Sequence, residues 1–553
     1  MEIVEETLES CQTEDEINTL THSYTSMLLD ISNMHGSKRE KLWEFTREEL
    51  YKLLAIINPV CLYENNSNNV KNINKIRIRI VFCNIARYTE YRWMEMKYVV
   101  RLLGIEINNI KNVIHGEIEM PQNKKGSILG IYGANGSGKT VVVDCMVLLK
   151  YLLSGRQIPA NFYYYINEAS GTSTVKYRFE LKIEEKCYLV EYEIGLLKNG
   201  KKSFCISKEK FSQREMSEGK RITPVFDYQK GKKELFRPLK LYERFSKDIQ
   251  NVIALGVAEQ ATQNYNEEKG VPEVSSFLFS RKAQEVFEKA EGEAALLALL
   301  SQCFQKYGIY ALAVVENAQY GYLSLNLESM PVNIDWSDTI PKKGEGIFLR
   351  FTDINVVPNE VFPYVANTIK QINIVIKSLI PEINIEIYNA FDKLLKEGKD
   401  GVQFEIIAMR GENRIPLLYE SAGIKKLISI CSNLVACYNR ESYCLVVDEL
   451  DSGIYEYLLG ECLEVMQDKA KGQLIFTSHN LRPLEILEND ALLYTTVNPE
   501  NCYIKSTYIK NTQNTRLSYL RTIKLGGQKE KLYNETNIYE MELAMRRAGR
   551  DYK

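Results

Sequence analysis

Ser127-Ile128-Leu129-Gly130-Ile131-Tyr132, running straight into Gly133-Ala134-Asn135-Gly136-Ser137-Gly138-Lys139-Thr140, is the stretch that decides the fold. The first part reads as a short apolar strand. The second fits G-x-x-x-x-G-K-[ST], and Val141–Leu153, apolar on nearly all sides and halted at Ser154-Gly155, reads as a helix buried between layers. Strand, glycine-rich turn and helix, in that order, are what a polyanion requires. Glycines let the backbone wrap closely enough to aim several N–H groups at one ligand, and the helix N-terminus adds partial positive charge. Gly133 to Thr140 are thus predicted to hold a triphosphate, with Lys139 as a point charge at its outer phosphates and the Thr140 hydroxyl as a ligand to Mg2+.

Three further segments supply the chemistry that such a turn needs. Cys444-Leu445-Val446-Val447-Asp448-Glu449 is an apolar strand ending abruptly in two acids. A carboxylate at a strand's C-terminal end can reach the Mg2+ sphere while its neighbour polarises a water. Asp448 is assigned to the metal and Glu449 to the attacking water. Tyr419-Glu420-Ser421-Ala422-Gly423-Ile424-Lys425-Lys426-Leu427 opens a helix 27 residues before Asp448, where Ser421 caps the helix and its hydroxyl faces an anion. An ordinary cap fits that segment alone equally well. Thr477-Ser478-His479-Asn480 ends another apolar strand 31 residues after Asp448, and an imidazole there can sense a γ-phosphate. Leu450-Asp451-Ser452-Gly453, between acids and histidine, reads as a polar turn able to touch a partner subunit.

These four ordered elements resemble the ATP-binding heads of the ABC/SMC-like branch of P-loop ATPases, and within it the AAA-family ATPases grouped with OLD- and RecF-like proteins of bacterial abortive-infection and anti-phage systems. The resemblance covers 98–197 and 401–497. It implies an α/β P-loop NTPase fold with an inserted, mainly helical arm lobe, and Mg2+-dependent hydrolysis of ATP. It also implies a head-to-tail homodimer, or a higher oligomer, closing on two ATP molecules. In that arrangement Ser421 and Gly423 contact the γ-phosphate in trans, Glu449 is the catalytic carboxylate and His479 the switch. The dimer would gate an effector such as a nuclease subunit, or engage DNA; a RecF-like repair ATPase and a nucleotide-gated scaffold with little hydrolysis are the rival expectations. Two departures from the family pattern stand out. Glu420-Ser421-Ala422-Gly423-Ile424 is not the Leu-Ser-Gly-Gly-Gln of transporters, which argues against a transport ATPase, and Tyr455-Glu456 replaces the His-Pro that often follows the acidic turn.

Composition agrees with a large soluble protein. Of 553 residues, 45% are hydrophobic and 26% charged, with a formal net charge of −2, so no global field drives the chain onto nucleic acid or membrane. No apolar run reaches membrane-spanning length, the first twenty residues hold seven acids and no base, and twelve cysteines occur without a C-x-x-C. A cytoplasmic location with reduced thiols is expected, without a zinc framework.

Four segments are expected: an accessory extension over 1–97, a head lobe over 98–197, an inserted basic and helical lobe over 198–400, and a second head lobe with its tail over 401–553. In the first, Thr46-Arg47-Glu48-Glu49 forms a capping box and Ile76–Ile80 alternates like a strand. Residues 198–240 carry thirteen Lys/Arg against five Asp/Glu, interleaved with Phe204, Phe211, Phe226 and Tyr228. That pattern fits a nucleic-acid groove, and fits equally a solvated strand surface over aromatic core residues. Helices are predicted at Ala283–Tyr307 and Phe362–Leu379 and a strand at Gln403–Met409. The tail over 501–553 has no D-x-D cluster and too little length for a TOPRIM nuclease domain, so no nuclease activity is expected.

Overall fold

A computed structural model describes residues 98–549 apart from 122–125, 201, 217–220, 289, 291–293, 317–328, 332–347, 352–353, 396–399, 506–514, 526–529 and 535–536. The capping box at Thr46 and the alternating run Ile76–Ile80 lie outside the described residues, as do Lys201 and Lys220 of the basic stretch.

Two sheets organise the chain. The central one has six strands in the order Leu312–Val315, Cys444–Val447, Gln473–Thr477, Ser127–Tyr132, Leu492–Thr495, Tyr503–Lys505, all parallel except the last. Its inner strands are buried on both faces, as parallel sheets require. Side chains alternate between two cores. Leu129, Ile131, Val314, Val446 and Ile475 face one, while Ile128, Tyr132, Val315, Val447 and Phe476 face the other. The first core holds the helix Lys139–Leu153 and the second holds Phe362–Leu379 and Ala422–Asn439.

The second sheet is antiparallel, in the order Val113–Glu119, Tyr98–Ile110, Thr172–Ile183, Lys186–Lys198, Phe204–Glu215, Thr223–Gln229. It lies over the first core. Residues 198–240 therefore open the middle of the chain with strands rather than helices, because their apolar residues recur at period two. Helices follow, but in shorter pieces than the periodicity suggests. The pattern at Ala283–Tyr307 divides into Arg281–Phe287, capped by Ser280, and Ala295–Lys306. A carboxylate enters this aromatic interior. Glu209 accepts from Tyr192 Oη at 2.8 Å, Ser276 Oγ at 2.6 Å and the Phe277 N–H at 2.8 Å, and burial pushes its carboxyl pKa up. The strand expected at Gln403–Met409 spans Asp400–Arg410 and pairs antiparallel with Asn384–Leu394 in a separate sheet, not in the central one. Phe362–Leu379 forms as its period predicts, burying Val365, Ile369, Ile372 and Ile376.

Candidate phosphate-binding site

The turn Gly133–Gly138 links the strand Ser127–Tyr132 to the helix Lys139–Leu153. Gly136 (φ +74°) and Gly138 (φ +103°) lie in the left-handed region that a side chain resists, which is why glycines stand there. The turn is held from behind. Asn112 Nδ2 donates to the Gly136 carbonyl at 2.8 Å, the Cys502 thiol to that of Ser137 at 3.1 Å, and Tyr503 Oη to that of Gly138 at 2.8 Å. Across a trans peptide the N–H points opposite to the C=O, so anchoring the Ser137 and Gly138 carbonyls turns the N–H groups of Gly138 and Lys139 the other way. Gly133 packs so closely on Thr495 that a Cβ there would lie 1.7 Å from its Oγ1. Lys139 is 6% exposed, and its ammonium donates to the carbonyls of Gly133 and Ala134 at 2.8 Å each.

Asp448 and Glu449 converge on this lysine. Val447 is level with Phe476, and Phe476 with Gly130, so the acids leave the sheet on the same edge as the phosphate turn. The two strands are separated by one strand, or roughly 10 Å. Burial lowers the Lys139 pKa, and the carboxylates of Asp448, Glu449 and Asp451 oppose that shift. The intervening strand contributes Thr477, whose role follows from the strand order and not from its residue type. Its Oγ1 donates to Asp448 Oδ1 at 2.7 Å and accepts from the Glu449 N–H at 2.7 Å, using donor and acceptor once each. Glu449 itself adopts φ +46°, which costs a non-glycine residue about 1–2 kcal/mol. Strain of that kind gathers where a side chain must be aimed.

Ser421 caps the helix Ala422–Asn439, its Oγ accepting from the Ile424 N–H at 3.3 Å, and it is exposed. Gly423 is buried against the turn that follows the acids; a Cβ there would lie 1.8 Å from the Gly453 carbonyl oxygen. His479 is also exposed, and what fixes it is its main chain. Asp451 accepts from the N–H groups of His479 (3.2 Å) and Asn480 (3.0 Å), tying the polar turn to the histidine loop. Lys139 thus lies in the field of both acids and of Asp451, Asp451 holds the histidine loop, and the serine turn abuts the same polar turn through Gly453.

The parallel sheet, with a glycine turn joining its strand Ser127–Tyr132 to the helix Lys139–Leu153, is an α/β arrangement similar to that of P-loop NTPases. Residues 105–319 match the family model described as an AAA domain, a span that includes Gly133–Thr140 but not Ser421, Asp448, Glu449 or His479. No curated protein matches the sequence. Among solved structures, the chain is similar to the Smc head domain bound to the C-terminal domain of ScpA from Pyrococcus furiosus (12% identity, 77% of this chain and 100% of that one, TM-score 0.36). It is likewise similar to the SMC head domain from Thermotoga maritima (14%, 73% and 99%, 0.29) and to the recombination mediator RecF with ATP (12%, 69% and 94%, 0.30).

The oxygen donors at the glycine turn and at the acidic strand fit magnesium carried in by a nucleotide. Among the described residues no group of three His, Cys, Asp or Glu side chains could hold a metal alone. Thr140 and Asp448 offer one hydroxyl and one carboxylate, the sparse hard-oxygen set that Mg2+ takes when phosphates and water complete its shell.

The basic stretch does not form the stacking groove it suggested. Phe204, Phe211, Phe226 and Tyr228 are no more than 2% exposed, packed in the core and closed to bases. Lys208 pairs with Glu193 at 2.6 Å and Lys198 with Glu168. Period-two burial places the rings inside and the lysines toward solvent, with Glu209 the buried charge among them. Among the described residues no helix is long and apolar enough to cross a membrane.

Proposed function

We propose that the chain is a Mg2+-dependent ATPase whose ATP-loaded copies pair head to tail, and that pairing gates an effector or DNA engagement in anti-phage defence. One observation carries the enzymatic part of this reading: the buried Lys139 ammonium lies in the shared field of Asp448, Glu449 and Asp451, with Thr477 organising the first two. With Mg·ATP as substrate, the N–H groups of the turn and Lys139 bind the β- and γ-phosphates, while Thr140 and Asp448 hold the metal. Glu449 orients a water in line with the γ-phosphorus. Charge that spreads over the γ-oxygens in the transition state is met by Lys139, the turn and a partner's Ser421.

The pairing is supported by exposure. Ser421 stands at a helix N-terminus, and Tyr419 two residues before it and Tyr455 two residues after Gly453 are 76% and 69% exposed, aromatic surface open to a partner. Sedimentation of the Glu449→Gln variant tests it. Saturating Mg·ATP is expected to double the mass; a nucleotide-loaded monomer would reject the pairing, and failure to bind ATP would reject the whole reading.

A further inference from the structure

Lys426 reads in sequence as one of two ordinary helix lysines, yet it is 1% exposed. Burying an ammonium is costly, and a methionine would fill the same space without that cost. Its surroundings explain its presence. The Nζ donates to the main-chain carbonyl of Glu449, and Asp451, Glu449 and Asp448 all favour its charged form against the effect of burial.

Glu449 is therefore gripped at both ends of its backbone. The N–H is held by Thr477 Oγ1 at 2.7 Å and the C=O by Lys426 together with the Ser452 N–H at 2.9 Å, on either side of a left-handed φ of +46°. A residue in that conformation stays there only while its neighbours over-determine it. Thr477 comes from the sheet. Lys426 comes from the helix whose N-cap is Ser421, less than a turn and a half further along. The ammonium and the serine hydroxyl sit on one rigid rod, so a displacement of that helix reaches the Glu449 main chain directly.

From this clamp we infer that Lys426 is a positioning residue for Glu449, coupling the aim of that carboxylate to the placement of the serine helix. The inference rests on the reading of Glu449 as the residue that orients water. The rival is a plain counter-charge for three carboxylates, and the two differ in what they move. A counter-charge near the triphosphate changes Mg·ATP affinity; a clamp on Glu449 changes turnover alone.

The test uses the full chain as wild type, Lys426→Met, Lys426→Arg and Glu449→Gln, with phosphate release, ATP affinity by titration and thermal denaturation measured on each. Lys426→Met is expected to lower kcat at least tenfold with KM and affinity for Mg·ATP within threefold of wild type. Unchanged kcat, or a loss confined to affinity, overturns the inference. Should Lys426→Met not fold, Lys426→Arg is read by the same split: it keeps the charge but misplaces the donor, so kcat is again expected to fall with affinity retained, and wild-type kcat overturns the clamp. Glu449→Gln separates the two levels. If it turns over ATP like wild type, the role of Glu449 fails first and Lys426 has nothing to position; if it is inactive while Lys426→Met is fully active, only the clamp is refuted.

Discussion

Asp144 lies on the helix that follows the phosphate turn, 3% exposed, with Lys111 Nζ 2.5 Å from its Oδ2. Burial raises its carboxyl pKa from 3.8 to about 6 in spite of the lysine, which pulls the other way. The folded chain thus binds this proton more tightly than the unfolded chain does. The resulting stabilisation is present in full below the unfolded value and is lost as pH rises through about 6. At 1.36 kcal/mol per unit the whole effect is about 3 kcal/mol, of which about 1.4 kcal/mol falls between about pH 5 and about pH 7.5. Asp144→Asn removes the titration. Urea denaturation of both proteins at the two pH values is expected to show wild type losing about 1.4 kcal/mol relative to the variant as pH rises. Lys111→Met, which deletes the opposing charge, should steepen the loss. A wild-type minus variant difference that is flat with pH, or that grows in favour of wild type on the alkaline side, would refute this account of the buried carboxylate.

Other substitutions address the nucleotide and its partner surface. Lys139→Met deletes charge-assisted hydrogen bonds worth about 1.5–3 kcal/mol, so calorimetric ATP affinity should fall roughly 10- to 150-fold with the melting temperature little changed. Gly423→Ala puts a Cβ 1.8 Å from the Gly453 oxygen. Even close backbone C···O contacts keep roughly 3.3 Å, so about 1.5 Å of displacement is required, at about 1–3 kcal/mol. Phosphate release should be lost while ATP still binds, and wild-type turnover would show that the contact is slack.

Much of the site was legible because each part is local. The glycines at 136 and 138, the lysine after them and the acids ending Cys444–Val447 are read within one strand and one turn, and the helix Phe362–Leu379 is read from its period. What lay hidden depends on non-local pairing. The strand order inserts Gln473–Thr477 between the phosphate-turn strand and the acidic strand, which gives Thr477 its two contacts. Residue type alone points to His479 instead. The strand Leu312–Val315 carries a four-residue apolar signal, short enough to pass as the tail of the preceding helix. Lys426 was obscured for a different reason, since composition assigns lysines to solvent and only the assembled acids make a buried one tolerable. The basic stretch 198–240 shows the same limit in reverse, its rings being turned inward by the sheet.

The central claim is that one Mg-triphosphate is held by Lys139 and acted on through Glu449. Single-turnover phosphate release by Glu449→Gln, measured beside its ATP affinity, tests it most directly. The account predicts a rate reduced at least a hundredfold with affinity within threefold of wild type. A variant that binds ATP equally well and cleaves it at the wild-type rate would contradict it.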